Sequence, residues 1–206
     1  MFEAVGFMFF STIETLSLFA LMMSLYRLKM IDYIWPALFV ILLMNLQSYL
    51  LRNELSLEFL VPLIGILIFT FMLATIVKLP IVWSAIVTIS GYVIFGVIQT
   101  IVVTILFGSV AEAQSTNVNG YILQTITALL MFFLSWGMYK FGIGFSFNFD
   151  RFRIKWENII TVILIMIFLI AISVILYFNQ IWINILFFAV SLAFLLYYAV
   201  RKENEE

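Results

Sequence analysis

"PIVWSAIVTISGYVIFGVIQTIVVTILF" fills residues 80–107 and contains no Asp, Glu, Lys or Arg. At about 1.5 Å of rise per residue, a helix of this length outreaches the roughly 30 Å hydrocarbon core of a bilayer. Its apolar residues run continuously rather than alternating, unlike an outer-membrane barrel strand, and an open sheet would leave backbone groups unsatisfied in lipid. The stretch therefore reads as a membrane-spanning helix. Pro80 stands in its first turn, where a missing N–H costs little.

The same yardstick, applied outward, finds six further spans at residues 3–26, 33–51, 57–77, 121–140, 157–178 and 181–200. Pro36 and Pro62 again fall in first turns. Fusing the last two runs would give six spans, but would bury "YFNQIW" in lipid; Asn179 and Gln180 fit better as a tight outer hairpin. The expected fold is all-α: a polytopic membrane bundle of seven transmembrane helices in one domain over residues 1–200, with a short charged tail at 201–206. Composition agrees, since 66% of the 206 residues are apolar and the mean hydropathy is +1.21. The N-terminal run lacks a basic leader and exceeds a signal-peptide core, so it reads as a retained first span.

The Lys and Arg distribution orients the bundle. With the N-terminus outside and the C-terminus inside, Arg27, Lys29, Lys78, Lys140, Arg151, Arg153, Lys155, Arg201 and Lys202 all face the cytoplasm, and only Arg52 lies outside. The expected location is the cell membrane, as a multi-pass integral protein. Within the fifth-to-sixth connection, "GFSFNFDRFRIKW" (144–156) interleaves aromatics with cations. Lys140, Arg151, Arg153, Lys155 and Trp156 there suit an inner interfacial anchor on anionic lipid, also available to an inner partner. The outer "GSVAEAQSTNVNG" (108–120) has no basic residue. It reads as a solvated, mobile loop within reach of a ligand.

Several function classes are excluded. A net charge of −1 offers no basic surplus for nucleic acid. The absence of cysteine and histidine removes disulfides, thiolate metal sites, cysteine nucleophiles and the commonest general base. Glu14 has no partner carboxylate within the spans, and the serines have no base. No catalytic set, metal or cofactor is expected.

What remains is a set of polar residues inside the spans. Glu14, in "FFSTIETLSLF", lies near the middle of the first span, with Ser11 and Ser17 on the same face and able to share hydrogen bonds with it. Asn45, Gln47, Gln99 and Gln124 fall in the outer halves of their helices. Helical stripes run through Thr88, Gly91, Phe95 and Gln99, and through Gln124, Ala128, Met131 and Ser135. One reading is packing, in which small and polar side chains let helices approach and bond. The other is an outward-facing cavity lined by Glu14, Asn45, Gln99 and Gln124, suited to an amphipathic ligand.

The acid-bearing first span followed by "LYRLKM", the fourth span "LPIVWSAIVTISGYVIFGVIQT" and the inner "YKFGIGFSFNFDRF" together resemble the membrane sensor region of accessory-gene-regulator-type histidine kinases of Gram-positive bacteria. The resemblance implies a peptide sensed on the outer side and a signal passed inward. It carries no individual ligand residue over to this chain. This chain has no phosphoacceptor histidine and no nucleotide-binding glycines. The resemblance then implies a receptor-like module that does not autophosphorylate, with the lipid bilayer, a histidine kinase or other membrane partner, and a second copy of the chain as partners. The alternative is a membrane substrate-binding or transport component for a small solute. Against it, no inverted repeat and no matched pair of broken helices is visible.

Overall fold

The computed structural model describes residues 2–53 and 58–145. Five long helices make up the bundle: α1 (Phe2–Leu25), α2 (Ile34–Asn53), α3 (Val61–Thr75), α4 (Ile81–Leu106) and α6 (Asn117–Phe141). A single turn, α5 (Val110–Ala113), sits between α4 and α6, and 3₁₀ turns precede α2 and α3. No strand occurs among the described residues. Five segments there are long and apolar enough to cross a membrane. The sixth and seventh expected spans, and Arg151, Arg153, Lys155 and Trp156, lie outside the described residues.

α1 is the axis of the bundle, packed against α2, α4 and α6, while α3 closes the far side against α2 and α4. α1 and α6 run parallel: Phe10 stacks on Tyr121 at 4.7 Å near one end, and Ser24 meets Ser135 near the other. α1 and α2 run antiparallel, with Phe7 beside Tyr49. In lipid there is little hydrophobic drive between helices, so close packing and internal hydrogen bonds hold them together. Residues 17–25 of α1 and Tyr26 after it are buried without interruption, and Phe19, Met22 and Met23 among them pack with Phe69, Val87 and Met131 as the solid part of the core. Gly91 of α4 makes room for Met22, which occupies the space a Cβ would take.

Two buried hydroxyl pairs stitch this solid half. Ser135 Oγ donates to the Ala20 carbonyl at 3.0 Å, so its single proton is committed and Ser24 Oγ donates to it at 2.7 Å. By the same reasoning Ser90 Oγ donates to the Ile86 carbonyl, leaving Tyr26 Oη to donate to Ser90 at 2.8 Å.

Helix ends at this side of the bundle share one device. α1 closes in a Schellman motif, with Leu28 N–H bonded to the Met23 carbonyl and Arg27 N–H to the Ser24 carbonyl. Arg27 takes the left-handed conformation, φ 52°. α6 closes the same way through Gly142, φ 63°, with Ile143 N–H on the Met138 carbonyl. Lys78, φ 64°, follows α3 in the same conformation. Arg27, Lys29, Lys78 and Lys140 therefore gather at one end, while Arg52 closes α2 at the other. Beyond α6 the chain folds back onto α1: Phe145 N–H bonds the Leu25 carbonyl at 2.8 Å, and the Phe145 ring packs on Tyr26. Gly144 allows this, since a Cβ there would meet Leu25 O at 2.8 Å.

α6 starts a turn earlier than the hydropathy run suggests. Thr116 caps it by accepting a hydrogen bond from Asn119 N–H, and Ser109 caps α5 through Glu112 N–H. Asn119 Nδ2 adds bonds to the Glu112 carbonyl and to Ser115 Oγ. The 108–120 segment is thus hydrogen-bonded to itself rather than an open loop.

Candidate functional site

The half of the bundle that contains the start of α1 is hollow. A cavity of about 730 Å³ lies among the first half of α1, the last half of α2, the start of α3, the end of α4, and the α5 turn with the start of α6. Such a volume falls within the usual range for small-ligand sites. Glu14, Asn45, Gln99 and Gln124 all line it, from four different helices. Lys140 does not; it ends α6 at the opposite side, with Nζ 4.8 Å from the centre of the Trp136 ring.

The four side chains are provided for differently. Asn45 is buried, and its Oδ1 accepts from Ser11 Oγ at 3.0 Å, while Thr15 Oγ1, 3.2 Å away, shares its one proton between Asn45 Oδ1 and the Ser11 carbonyl at 2.7 Å. Its Nδ2 donates to Thr12 Oγ1 at 3.1 Å. Three hydroxyls of α1 thus hold one amide of α2, and one amide N–H remains for the cavity. Asn45 is a fastening between helices with little capacity to spare. Gln99 is partly exposed to the cavity and makes no hydrogen bond among the described residues.

Glu14 is 8% exposed, and its Oε1 has no hydrogen-bond partner. Only Thr127 Oγ1 shares that condition among the described residues, and Thr127 does not line the cavity. Ser11 and Ser17 do not satisfy the carboxyl: Ser11 turns to Asn45, and Ser17 Oγ donates to the backbone carbonyl of Glu14. For Ser17 the reason is helical geometry, because a serine reaches its own helix's carbonyl three or four residues back more readily than a side chain that projects away; Ser11 is drawn off by the facing amide of α2. Gln124 lies within reach of the Glu14 carboxyl.

Sequence reasoning missed several lining residues. Tyr92 crosses from α4 over Gly65 of α3, where its hydroxyl takes the place of a Cβ, and it lines the cavity. Tyr121 likewise covers Gly6, whose Cβ would fall 2.7 Å from Tyr121 Oη. Arg52 lies over the Phe7 ring at 5.8 Å and lines the mouth with Glu58. The tyrosine–glycine pairs carry no mark in a single sequence, because each joins different helices. The α5 turn contributes Val110 and Ala113 to the wall, and Gln114 follows just after it.

Chemically the cavity offers a buried carboxyl acceptor, the side-chain amides of Asn45, Gln47, Gln99, Gln114, Asn117 and Gln124, aromatic faces and, at its mouth, the guanidinium of Arg52 and the carboxylate of Glu58. No group of three or more metal-ligating side chains occurs among the described residues. No protein-family model, curated protein or solved structure matches this chain.

Proposed function

We propose that the protein is a non-enzymatic, receptor-like module of the cell membrane that binds a small peptide or amphipathic ligand from the outer side and signals to a membrane or cytoplasmic partner. The observation that carries this reading is the cavity holding Glu14, Gln99 and Gln124 in one half of a bundle whose other half is solid. A site closed at one end suits binding better than passage, which places the transport alternative second. The excess of Lys and Arg at the solid end supports an outward-facing open end under the positive-inside rule. The likeness to accessory-gene-regulator-type sensor regions points to the same arrangement, with a histidine kinase or other membrane protein as the partner and a second copy of the chain within the assembly.

Reconstitution separates the two readings. In proteoliposomes, tritiated trileucine is expected to bind saturably and not to accumulate in the lumen. Lumenal accumulation above protein-free vesicles would sink the receptor reading. Gln99→Trp, which fills the cavity from a partly exposed position, is expected to abolish binding and leave helicity and thermal unfolding unchanged.

A further inference from the structure

A ligand for this cavity must answer two features at different depths. At the deep end, the Glu14 carboxyl is more than nine-tenths buried, lines the cavity, and keeps Oε1 unpartnered. A buried oxygen without a donor is costly, and a charge-assisted donor is the strongest compensation. At the mouth, the Arg52 guanidinium lies over Phe7. Phe7 precedes Glu14 by seven residues of the continuous helix α1, or two turns and about 10 Å along the axis. Between the two levels the wall is mixed, with Ser11, Ser48, Tyr49, Thr100 and Tyr121 among its lining residues, while Phe95 and Tyr92 line the cavity further in along α4.

We infer that the cavity takes a two-pole amphipathic ligand, a short apolar peptide with free termini or a molecule of the same layout, whose ammonium meets Glu14 and whose carboxylate meets Arg52. Three extended residues span about 10 Å, which matches the separation of the two levels. Gln99 and Gln124, at the depth of the inner pole, supply lateral bonds to the peptide backbone. Glu58 also lines the mouth and opposes an anionic pole there; Arg52, held over Phe7, is the residue assigned to the outer pole, and the amidated probe decides between the two. The inference rests on the receptor reading, and goes beyond it in naming ligand polarity and length.

The test uses the full chain in lipid nanodiscs and four probes: trileucine with free termini, N-acetylated, C-amidated, and capped at both ends. The free form is expected to bind tightest, with acetylation weakening it about tenfold or more and amidation about threefold. Glu14→Gln should erase the penalty of acetylation, and Arg52→Gln that of amidation. The acetylation comparison on the unaltered chain stands even if a variant does not fold. Equal binding of all four forms, all abolished by Gln99→Trp, would overturn the two-pole inference and leave the cavity reading standing. Tighter binding of the amide would overturn the outer pole in favour of Glu58. Binding that Gln99→Trp does not affect, or no binding by any form, would overturn the inference together with the cavity as the site for this ligand class.

Discussion

Asn45 and Glu14 are both buried polar residues in the hollow half, yet their surroundings treat them in opposite ways. Three α1 hydroxyls occupy the Asn45 amide, whereas Glu14 Oε1 has none. Asn45→Ala is therefore expected to lower stability by about 1–2 kcal/mol, the scale of interhelical hydrogen bonds in membrane bundles, read from circular dichroism during titration with a denaturing detergent. Glu14→Gln keeps the shape and loses only the carboxylate, so the same measurement should show little change while affinity for free trileucine falls. A large stability loss with unchanged affinity would assign Glu14 to packing. The Ser24–Ser135 bond offers a cleaner magnitude: a double-mutant cycle to alanine should return a coupling of about 0.6 kcal/mol. The polar side chains and their depth were legible in the sequence. Which hydroxyl each would choose was not, because Ser11, Thr12 and Thr15 look alike until α2 places Asn45 against them.

The helices themselves are easier to read than their ends. Apolar runs located all five long helices, since length and hydropathy alone decide what can cross a bilayer. Their termini depended on capping: Thr116 starts α6 a turn early, and the "GSVAEAQSTNVNG" composition that suggested an open loop contains the caps that close it. α1 and α6 end side by side in the same motif, one with Arg27 and one with Gly142 at the left-handed position. A Cβ at Gly142 would meet nothing within 4 Å. Gly142→Ala should thus report the backbone cost alone, about 1–2 kcal/mol of lost stability. Arg27→Gly should gain part of that amount, the remainder being offset by the lost attraction between the cation and the α1 C-terminus, about 0.3–1 kcal/mol. Thermal unfolding in a mild detergent reads both, and equal destabilisation by the two changes would contradict the shared geometry.

Across the whole molecule, one end is solid and basic, and the other is hollow and carries a single described cation, Arg52. Topology can be tested directly because the chain has no cysteine of its own. Ala111 and Lys29 are exposed at opposite ends. Ala111→Cys is expected to react with a membrane-impermeant maleimide on intact cells, and Lys29→Cys only after permeabilisation; the reverse pattern would invert the orientation. The clustering of cations was legible in the sequence through the positive-inside rule. The contrast between hollow and solid halves was not, since it depends on contacts between different helices, such as those of Tyr92 with Gly65 and Tyr121 with Gly6.

The parallel contact of α1 with α6 also carries a consequence for biosynthesis. Ser24 and Ser135 are 111 positions apart, so at roughly 5–20 residues per second α1 waits on the order of 5–20 s for its main neighbour to emerge from the ribosome. Throughout that interval Glu14 and Ser24 sit in a helix whose partner does not yet exist. Nascent α1, with only α2 and α4 to pack against, is therefore expected to stay beside the insertion machinery or a membrane chaperone until α6 arrives. A ribosome stalled before residue 117 should accordingly leave a chain that crosslinks through α1 to that machinery, and one stalled after the whole of α6 has cleared the ribosome should not.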